Sequence, residues 1–350
     1  MHCVVHDPSA PLIALAVVLA AALPAAAEET FTVATWNIEN WHTNFEGHRM
    51  RQATRPATRP VTEEQMEVMR QEGYQNDEDH WEVAQVVQDP AFSPDVLVVQ
   101  EGATKSDLEF FNKRWLDSAY ATVVQFPSNT DRNQHLNLLL KPGFKLVERR
   151  DQYYKDPDAV PNDRGNRLFA RGPAFALVET PGGYRFWVGT THQKSKQGGD
   201  NPAWVQWRNR EALRTHQIMR ELERTGPNDV ILLGDMNDTL GVDELEADNG
   251  GDPIANLVGP PEDGFALATK PLADKKEFSY GGYWRTDHRS LIDHVVVSGA
   301  MKDQVKDVRV LKTPLASVAS DHYPVVVTLR ADEPSAASTT RPASNTRFEP

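Results

Sequence analysis

The sequence predicts an α/β (α+β) fold in which a β-sandwich carries helices on its outside. Short β-branched or apolar segments follow one another with no helix between them, as at 121–126, 136–140 and 144–149. Strands that follow directly usually pair as antiparallel hairpins, whereas a doubly wound parallel sheet needs a crossover after each strand. Pro181-Gly182-Gly183 separates two further strand-like segments and indicates one such hairpin.

Apolar periodicity and turn residues place the individual elements. Asp79 can cap a helix that Pro90 ends, and further helices are predicted at 106–116 and 203–224. Strands are predicted at 31–37, 95–100, 121–126, 136–140, 144–149, 175–179, 186–191, 229–233, 291–297 and 323–329. We expect these strands to form two β-rich halves that meet near residue 180.

The two ends of the chain differ in composition from its body. Residues 11–24 are an uncharged apolar run, and Ala25-Ala26-Ala27 then supply the small residues that a signal peptidase needs. We therefore predict a signal peptide at 1–27 and a secreted or periplasmic protein; an uncleaved anchor is the weaker alternative, because the run is short for a bilayer. Residues 331–350 are rich in Ser, Thr, Ala and Pro and are predicted to be a disordered tail.

Charge and cysteine content exclude several classes of protein. The net charge of -13 argues against a broadly basic nucleic-acid-binding surface, although a bound metal would bring its own positive charge. The only cysteine, Cys3, lies in the leader. A mature chain without cysteine has no disulfide framework, thiol nucleophile or Cys-ligated zinc.

A polar insertion at 42–80 interrupts the order of the elements. It contains a tandem Ala-Thr-Arg-Pro at 53–60 and four arginines, Arg49, Arg51, Arg55 and Arg59. The simpler interpretation is a solvated surface loop with a short helical piece. The alternative is a basic flap that touches an anionic substrate.

Polar side chains capable of chemistry recur where predicted strands stop, which is where a sandwich presents side chains at its rim. They are Asn37, Glu101, His192, Lys194, Asp235, Asn237, Asp293, Asp321 and His322. Each one alone is explained better by a turn or a packing residue than by a functional role. Their repeated appearance after apolar runs indicates a site.

These residue types suit metal-assisted hydrolysis of a phosphoester. Glu101, the Asn37 carbonyl and an Asp are hard oxygen ligands of the kind that Mg²⁺ prefers, and the ion would neutralise phosphate oxygens. A His held by a carboxylate is a suitable base near neutral pH. The sequence has no serine nucleophile elbow, Gly-rich phosphate loop or HExxH motif.

Six segments together resemble the deoxyribonuclease I-like endonuclease/exonuclease/phosphatase superfamily and occur in the family's order. They are 35–40 (TWNIEN), 95–101 (DVLVVQE), 191–194 (THQK), 232–238 (LLGDMND), 291–294 (LIDH) and 320–325 (SDHYPV). The resemblance implies a four-layer sandwich of two packed, mainly antiparallel β-sheets flanked by helices, with the active site at one rim. Because the segments span the body, we expect one domain over 28–330.

The resemblance also implies a metal site. Glu101 would be the principal Mg²⁺ ligand, with Asn37 beside it, and Asp321 would contribute to the metal or its water shell. Mn²⁺ or Ca²⁺ could take the place of Mg²⁺.

Roles in the reaction follow from the same resemblance. His322 would contact the scissile phosphate and pair with Asp293, acting as general base or orienting the attacking water. Asp235 and Asn237 would position the nucleophile and the phosphate oxygens. His192 would stabilise or protonate the leaving group. Family members differ over base and acid, so the choice between His322 and Asp235 as the base stays open.

Two basic residues have alternative interpretations. Arg171-Gly172-Pro173 resembles the Arg-x-Pro of the nuclease branch, in which the Arg reaches the substrate phosphate; the alternative is a surface Arg before a turn. Lys194 would lie on the same side of an extended strand as His192 and assist the phosphate, or be solvated. The polar-aromatic cluster Trp284, Arg285, Asp287 and His288 could line the pocket or form the base of a lid.

These inferences predict an exported, monomeric, Mg²⁺-dependent phosphodiesterase. We expect it to be a nuclease that cleaves a nucleic acid or nucleotide by in-line attack of a metal-activated water. Cleavage of the leader would leave no stable membrane anchor. The alternatives are a phosphomonoesterase, a sphingomyelinase-like lipid phosphodiesterase, and a non-catalytic binding protein of the same fold.

Overall fold

The computed structural model describes residues 29–39, 77–130, 134–162, 165–196, 201–242, 244–281 and 289–331. The predicted signal peptide, the tail beyond Ala331 and the insertion as far as residue 76 lie outside these residues, so those predictions stay predictions. Within the described part of the chain, no helix has the length and apolarity needed to cross a membrane.

Twelve strands and seven α-helices make up the described part of the chain. The strands are β1 (Thr30–Asn37), β2 (Val96–Gly102), β3 (Thr122–Gln125), β4 (His135–Leu140), β5 (Lys145–Arg150), β6 (Ala174–Glu179), β7 (Arg185–His192), β8 (Val230–Asp235), β9 (Ala266–Leu267), β10 (Asp293–Val297), β11 (Val305–Val310) and β12 (Val325–Arg330). The helices are α1 (Asp77–Gln88), α2 (Lys105–Trp115), α3 (Pro202–Thr225), α4 (Glu244–Asp248), α5 (Pro253–Val258), α6 (Lys270–Asp274) and α7 (Ala316–Ala319).

The strands form two six-stranded sheets, ordered β11-β12-β1-β2-β4-β3 and β5-β6-β7-β8-β10-β9. Only β1–β2 and β7–β8 pair in parallel, at the centre of each sheet; the other pairs are antiparallel. The predicted sandwich of mainly antiparallel sheets flanked by helices is confirmed.

The expected division near residue 180 is wrong. The chain passes to the second sheet between β4 and β5, before Lys145, and its last two strands return to the first sheet beside β1. The hairpin at 181–183 joins β6 to β7 within one sheet. The apolar pattern cannot reveal this assignment, because strands of either sheet bury the same residue types.

Alternation along the strands separates an inner core from two outer ones. Val33 and Val98 of the first sheet pack with Leu233 of the second in the inner core. Trp36 and Val99 face the other way and pack beneath α1 and α2. The far side of the second sheet packs against α3 in a third cluster. Full burial of each large apolar side chain contributes about 1.5–3 kcal/mol.

A polar bridge also joins the two sheets inside the inner layer. Thr35 Oγ1 donates to Gln100 Oε1 at 2.9 Å, and Gln100 Nε2 donates to Thr190 Oγ1 at 2.8 Å. Because each of these buried groups has a partner, the bridge avoids the cost of an unsatisfied polar atom. It holds the centres of the two sheets in register just below one rim.

Local signals account for the helix boundaries. Thr104 caps α2, where its hydroxyl accepts from the backbone N of Asp107, and Asn201 caps α3 with Pro202 at the first helical position. Helix α1 begins at Asp77, two residues before the predicted cap at Asp79.

Candidate active site

The central parallel strands of both sheets end at the same rim, and this brings the predicted polar residues together. Asn37 ends β1 and His192 ends β7. Asp235 ends β8 and pairs with Asp293, the first residue of β10. Contacts between these residues across the two sheets define one site.

An irregularity at the end of β2 directs the Glu101 side chain into this site. The register between β2 and β4 shifts between Val99 and Gly102, which indicates a bulge. Glu101 adopts the left-handed conformation, with φ of 54°, and such strained residues cluster at functional sites. A Cβ at Gly102, the next residue, would lie 1.9 Å from Asn137 Oδ1, so a larger residue there would displace the Asn137 side chain.

The Glu101 carboxylate faces basic and amide groups. Oε2 accepts a hydrogen bond from Gln134 Nε2 at 3.0 Å. Oε1 lies 3.7 Å from Arg171 Nη1 and 3.8 Å from His192 Nε2. Because Arg171 is buried, its charge is fixed beside the carboxylate. The interpretation of Arg171 as a surface residue before a turn is therefore wrong.

Asp235 is buried between two histidines. Oδ2 accepts from Asn37 Nδ2 at 3.0 Å and lies 3.2 Å from His192 Nε2 and 3.8 Å from His322 Nε2. Oδ1 accepts from the backbone N of Asn237 at 2.9 Å. Burial, opposed by the charge of His322 and reinforced by that of Asp293, raises the pKa of Asp235 to about 7.

His322 is held by Asp293 as the sequence predicts. Its Nδ1 lies 2.8 Å from Asp293 Oδ2, leaving Nε2 towards Asp235. Burial alone would lower the pKa of His322, but the carboxylates of Asp293 and Asp235 outweigh it and raise the pKa well above the ordinary value. A carboxylate on one side of the ring thus favours the imidazolium form.

The loop that carries His322 is anchored to β1. Ser320 Oγ donates to the Asn37 carbonyl at 2.7 Å and accepts from the His322 backbone N at 3.0 Å. Trp36 Nε1 donates to the His322 carbonyl at 2.9 Å. These bonds join two parts of the chain that lie at opposite ends of its sequence.

An acidic group lies at the mouth of the site. Glu39 Oε2 accepts from the backbone N of Asp321 at 3.1 Å, and the Asp321 carboxylate lies 3.8 Å from His322 Nε2. Partial loss of water and the nearby charges of Asp321 and Glu101 raise the pKa of Glu39 to about 7. Two neighbouring carboxylates therefore repel that of Glu39 at this mouth, which is a setting that a divalent cation relieves.

Asn237 and Lys194 occupy different settings. Asn237 has a φ of 52° and its Nδ2 donates to the Gln193 carbonyl at 3.1 Å. Strand β7 ends at His192, so the predicted shared strand face does not extend to Lys194. The Lys194 ammonium lies 3.8 Å from the centre of the Trp204 ring.

Several residues of the site were absent from the sequence prediction. Glu39 lies in the matched TWNIEN segment, so the motif itself offered a signal. Ser320 likewise begins the matched SDHYPV segment. Gln134 and Tyr280, whose ring centre lies 5.0 Å from that of His322, become evident only through tertiary contacts. The cluster at 284–288 lies outside the described residues.

Two sets of residues could hold a metal ion. Asp235, Asp293 and His322 present ligand atoms within 4.8 Å of one another. However, the bond between His322 Nδ1 and Asp293 Oδ2 already engages one nitrogen and one oxygen of this set, while Asp293 Oδ1 is buried with no hydrogen-bond partner among the described residues. Glu101, Glu39 and Asp321 offer hard oxygen donors of the kind that Mg²⁺ prefers, and the charges of Glu101 and Asp321 both act on Glu39. The Asn37 amide donates to Asp235, so this contact orients the carboxylate.

Known structures share this fold. An endonuclease/exonuclease/phosphatase family protein from Bacteroides thetaiotaomicron matches with a TM-score of 0.56 and 18% identity, over 87% of this chain and 96% of that one. A mannosyl-6-phosphatase from the same organism matches at 0.53 and 18%, over 85% and 98%. Truncated Caenorhabditis elegans TDP2 matches at 0.52 and 18%, over 86% and 98%.

Sequence comparisons complete this result. Comparison with curated proteins finds no significant match. The sequence profile of the Endonuclease/Exonuclease/phosphatase family matches residues 34–322, which include every residue of the rim described above. The chain therefore belongs to the endonuclease/exonuclease/phosphatase family of phosphoester hydrolases.

Proposed function

We propose that the protein is an exported Mg²⁺-dependent phosphodiesterase that cleaves nucleic acids or nucleotides. The observation that carries the proposal is the buried Asp235 carboxylate, which lies 3.2 Å from His192 and 3.8 Å from His322 beside the Glu101 carboxylate. This arrangement brings together a carboxylate that can act as a base (Asp235), two imidazoles and a hard oxygen ligand (Glu101). The fixed positive charge of Arg171 suits an anionic phosphate.

Glu101, with Asp321 and Glu39, would hold the metal ion. The ion would supply positive charge for the phosphate oxygens and the leaving oxygen. The Asn37 amide would orient Asp235 through its hydrogen bond. The Asn37 side-chain carbonyl oxygen would lie at the edge of the metal site.

Asp235 is the base in the proposed reaction. Its carboxylate accepts a proton from a water molecule, whose oxygen attacks phosphorus as the bond to the leaving oxygen breaks. His322, protonated and paired with Asp293, donates to a phosphate oxygen, and so does the Asn237 amide. His192, between Asp235 and Glu101, would enter the step as the imidazolium and give its proton to the leaving oxygen. Transfer of the water's proton from Asp235 to His192, 3.2 Å away, would then restore both groups. The geometry favours Asp235 over His322 as base, because Asp293 stabilises the protonated form of His322.

Nuclease assays of matched variants test the metal ligand. We expect purified protein to cleave plasmid or single-stranded DNA with Mg²⁺, to lose activity in a chelator, and to regain it when Mg²⁺ is restored. Glu101→Gln should lower the rate at least about 10²-fold, while Glu109→Gln, an exposed carboxylate paired with Lys105 on a helix surface, should not. Unchanged cleavage by Glu101→Gln would reject the assignment of the site.

A substrate panel separates this proposal from a phosphomonoesterase. The fold is shared with a mannosyl-6-phosphatase, which gives that alternative a specific basis. Release of phosphate from sugar phosphates or nucleotides without cleavage of any nucleic acid would favour it. Choline phosphate release from sphingomyelin would favour a lipid phosphodiesterase. Inactivity on the whole panel, together with no Mg²⁺ binding, would indicate a binding protein.

Export is a separate part of the proposal and rests on the leader sequence. Expression of the full chain should yield a protein whose amino terminus lies near Glu28, outside the cytoplasm. A chain that keeps its first 27 residues and stays with the membrane would support the uncleaved anchor instead.

A further inference from the structure

We propose that Gln134 is a positioning residue that keeps Glu101 and Arg171 apart. In this way the carboxylate stays available to Mg²⁺ and the guanidinium to the substrate phosphate. The inference rests on the proposed function, which assigns those two roles, and it adds a residue that the assigned chemistry does not include.

The Gln134 side chain binds Glu101 and Arg171 at the same time. Its Nε2 donates to Glu101 Oε2 at 3.0 Å, and its Oε1 accepts from Arg171 Nη1 at 2.9 Å. The side chain is 2% exposed. A primary amide is suited to this position, because one end of it donates and the other accepts. A carboxylate or an ammonium in the same place would repel one of the two neighbours.

Without this amide the two charged groups would close from a loose ion pair to direct hydrogen-bonding contact. Arg171 Nη1 already lies 3.7 Å from Glu101 Oε1, and the two side chains are 9% and 15% exposed. Guanidinium and carboxylate groups form strong bidentate pairs, and the burial of both side chains would leave such a pair weakly screened by solvent. Such a pair would occupy the carboxylate oxygens and the donors that the proposed reaction needs.

The backbone holds Gln134 in place opposite the bulge of β2. Its neighbour His135 pairs with Gly102, the residue after Glu101. On the other side, the Arg171 carbonyl accepts from the His192 backbone N at 3.3 Å. The backbones of Gln134, Glu101 and Arg171 are thus fixed by the two sheets. The spacing between the Glu101 carboxylate and the Arg171 guanidinium therefore depends on the Gln134 amide between them.

Metal binding by a matched pair of variants tests the inference. Gln134→Met keeps the volume of the side chain and removes both hydrogen bonds. Gln304→Met makes the same change at another buried Gln, which accepts from Tyr184 and donates to Asp229 away from the site. We expect Gln134→Met to weaken Mn²⁺ binding, measured by electron paramagnetic resonance without substrate, by about 10-fold, and Gln304→Met to leave it unchanged.

Removal of the guanidinium should rescue the loss. In Gln134→Met/Arg171→Met the Glu101 carboxylate has no cation to pair with, so Mn²⁺ affinity should return to within about 3-fold of the wild type. A purely structural role of Gln134 predicts no rescue. Unchanged Mn²⁺ binding by Gln134→Met, or failure of the double variant to recover, overturns the inference.

Two controls keep the outcomes distinct. Circular dichroism checks folding, and if Gln134→Met does not fold, Gln134→Asn replaces it, since the shorter amide cannot reach both neighbours and should show the same loss and rescue. Glu101→Gln in the same titration tests the proposed function. Wild-type Mn²⁺ affinity in Glu101→Gln would reject the metal site itself, whereas weakened binding there with normal binding in the Gln134 variants rejects only the role of Gln134.

Discussion

Asp235 lies between His192 and His322 with both carboxylate oxygens held by hydrogen bonds to Asn37 and Asn237. These hydrogen bonds fix the orientation of the buried Asp235 carboxylate. Its raised pKa, about 7, suits proton transfer near neutral pH. The hydrogen bonds and the pKa of Asp235 identify it as the proposed base more clearly than its residue type does.

Asp235→Asn keeps the shape of the side chain and removes its capacity to accept a proton. We expect kcat for DNA cleavage to fall by about 10²–10⁴-fold, while thermal stability stays the same or rises because a buried carboxylate is neutralised. Asp274→Asn, an exposed carboxylate paired with Lys270, is the control and should change neither quantity. Near-normal turnover in Asp235→Asn would exclude Asp235 as the base.

His294 illustrates a buried histidine with a structural role. Its Nε2 donates to the Asp238 carbonyl at 3.0 Å and its Nδ1 accepts from Thr269 Oγ1 at 2.9 Å. Burial lowers the pKa of His294, so the folded protein keeps it neutral below pH 6.5, where the unfolded chain binds a proton. Folding stability should therefore decrease as the pH falls from about 6.5 towards the lowered pKa.

Urea unfolding of His294→Gln and the wild type across pH 5–8 checks this expectation. The variant should be less stable at pH 8, because the flexible amide reproduces the two buried hydrogen bonds and the packing of the ring less well, but its stability should change less between pH 6.5 and 5. The slope attributable to one such group is at most about 1.4 kcal/mol per pH unit. Equal slopes in the two proteins would show that His294 is protonated equally in both states.

At the scale of elements, long periodic segments were predictable and short or irregular ones were not. Helix α3 was predicted at 203–224 because its apolar positions repeat along one face over many turns, and the structure extends it by one residue at each end. Strand β11 was missed, since a register shift between Val305 and Asp307 interrupts its alternation. Helices α4 to α7 are too short for periodicity to detect.

Substitution of Gly234 in β8 would test how closely β7 and β8 approach each other beside Asp235. A Cβ at Gly234 would lie 2.1 Å from the backbone oxygen of Thr191 in β7, so Gly234→Ala must displace one strand. We expect a loss of about 1–3 kcal/mol in urea unfolding and a lower kcat, because Asp235 moves with its strand.

Gly299→Ala is the matched control, where the nearest atom to a Cβ is the Gly264 oxygen at 3.3 Å. It should cost little stability and leave kcat unchanged. Wild-type stability in Gly234→Ala would mean that the sheet accommodates the methyl group without strain.

On the scale of the whole molecule, the return of β11 and β12 to the first sheet closes the fold. Strand β1 pairs with β12 on one side and with β2 on the other, so the first sheet is complete only when the whole chain has folded. The inner core contains residues of both sheets, which makes the stability of each depend on the other. The single domain over 28–330 stays a prediction, and this interdependence of the sheets gives it a test.

A single domain should unfold in one cooperative step. Trp36 packs outside the first sheet and Trp187 outside the second, and the chain has eight tryptophans. The difference between the wild-type fluorescence and that of Trp36→Phe or Trp187→Phe therefore reports on one sheet or the other. We expect both signals and far-ultraviolet circular dichroism to give the same urea midpoint within each variant. Separate midpoints for the two sheets would contradict the single-domain prediction.

The sequence by itself determined the type of most long elements, the polar residues at the strand ends and the family to which the chain belongs. These depend on local patterns and on short motifs that can be read within a few residues. The tertiary structure alone decided which strand joins which sheet, and it brought Asn37 to Asp235 across 198 positions of the chain. It also placed Gln134 between Glu101 and Arg171. Such contacts depend on the register of strand pairing and on a bulge, and neither is encoded in the hydrophobic pattern of any one segment.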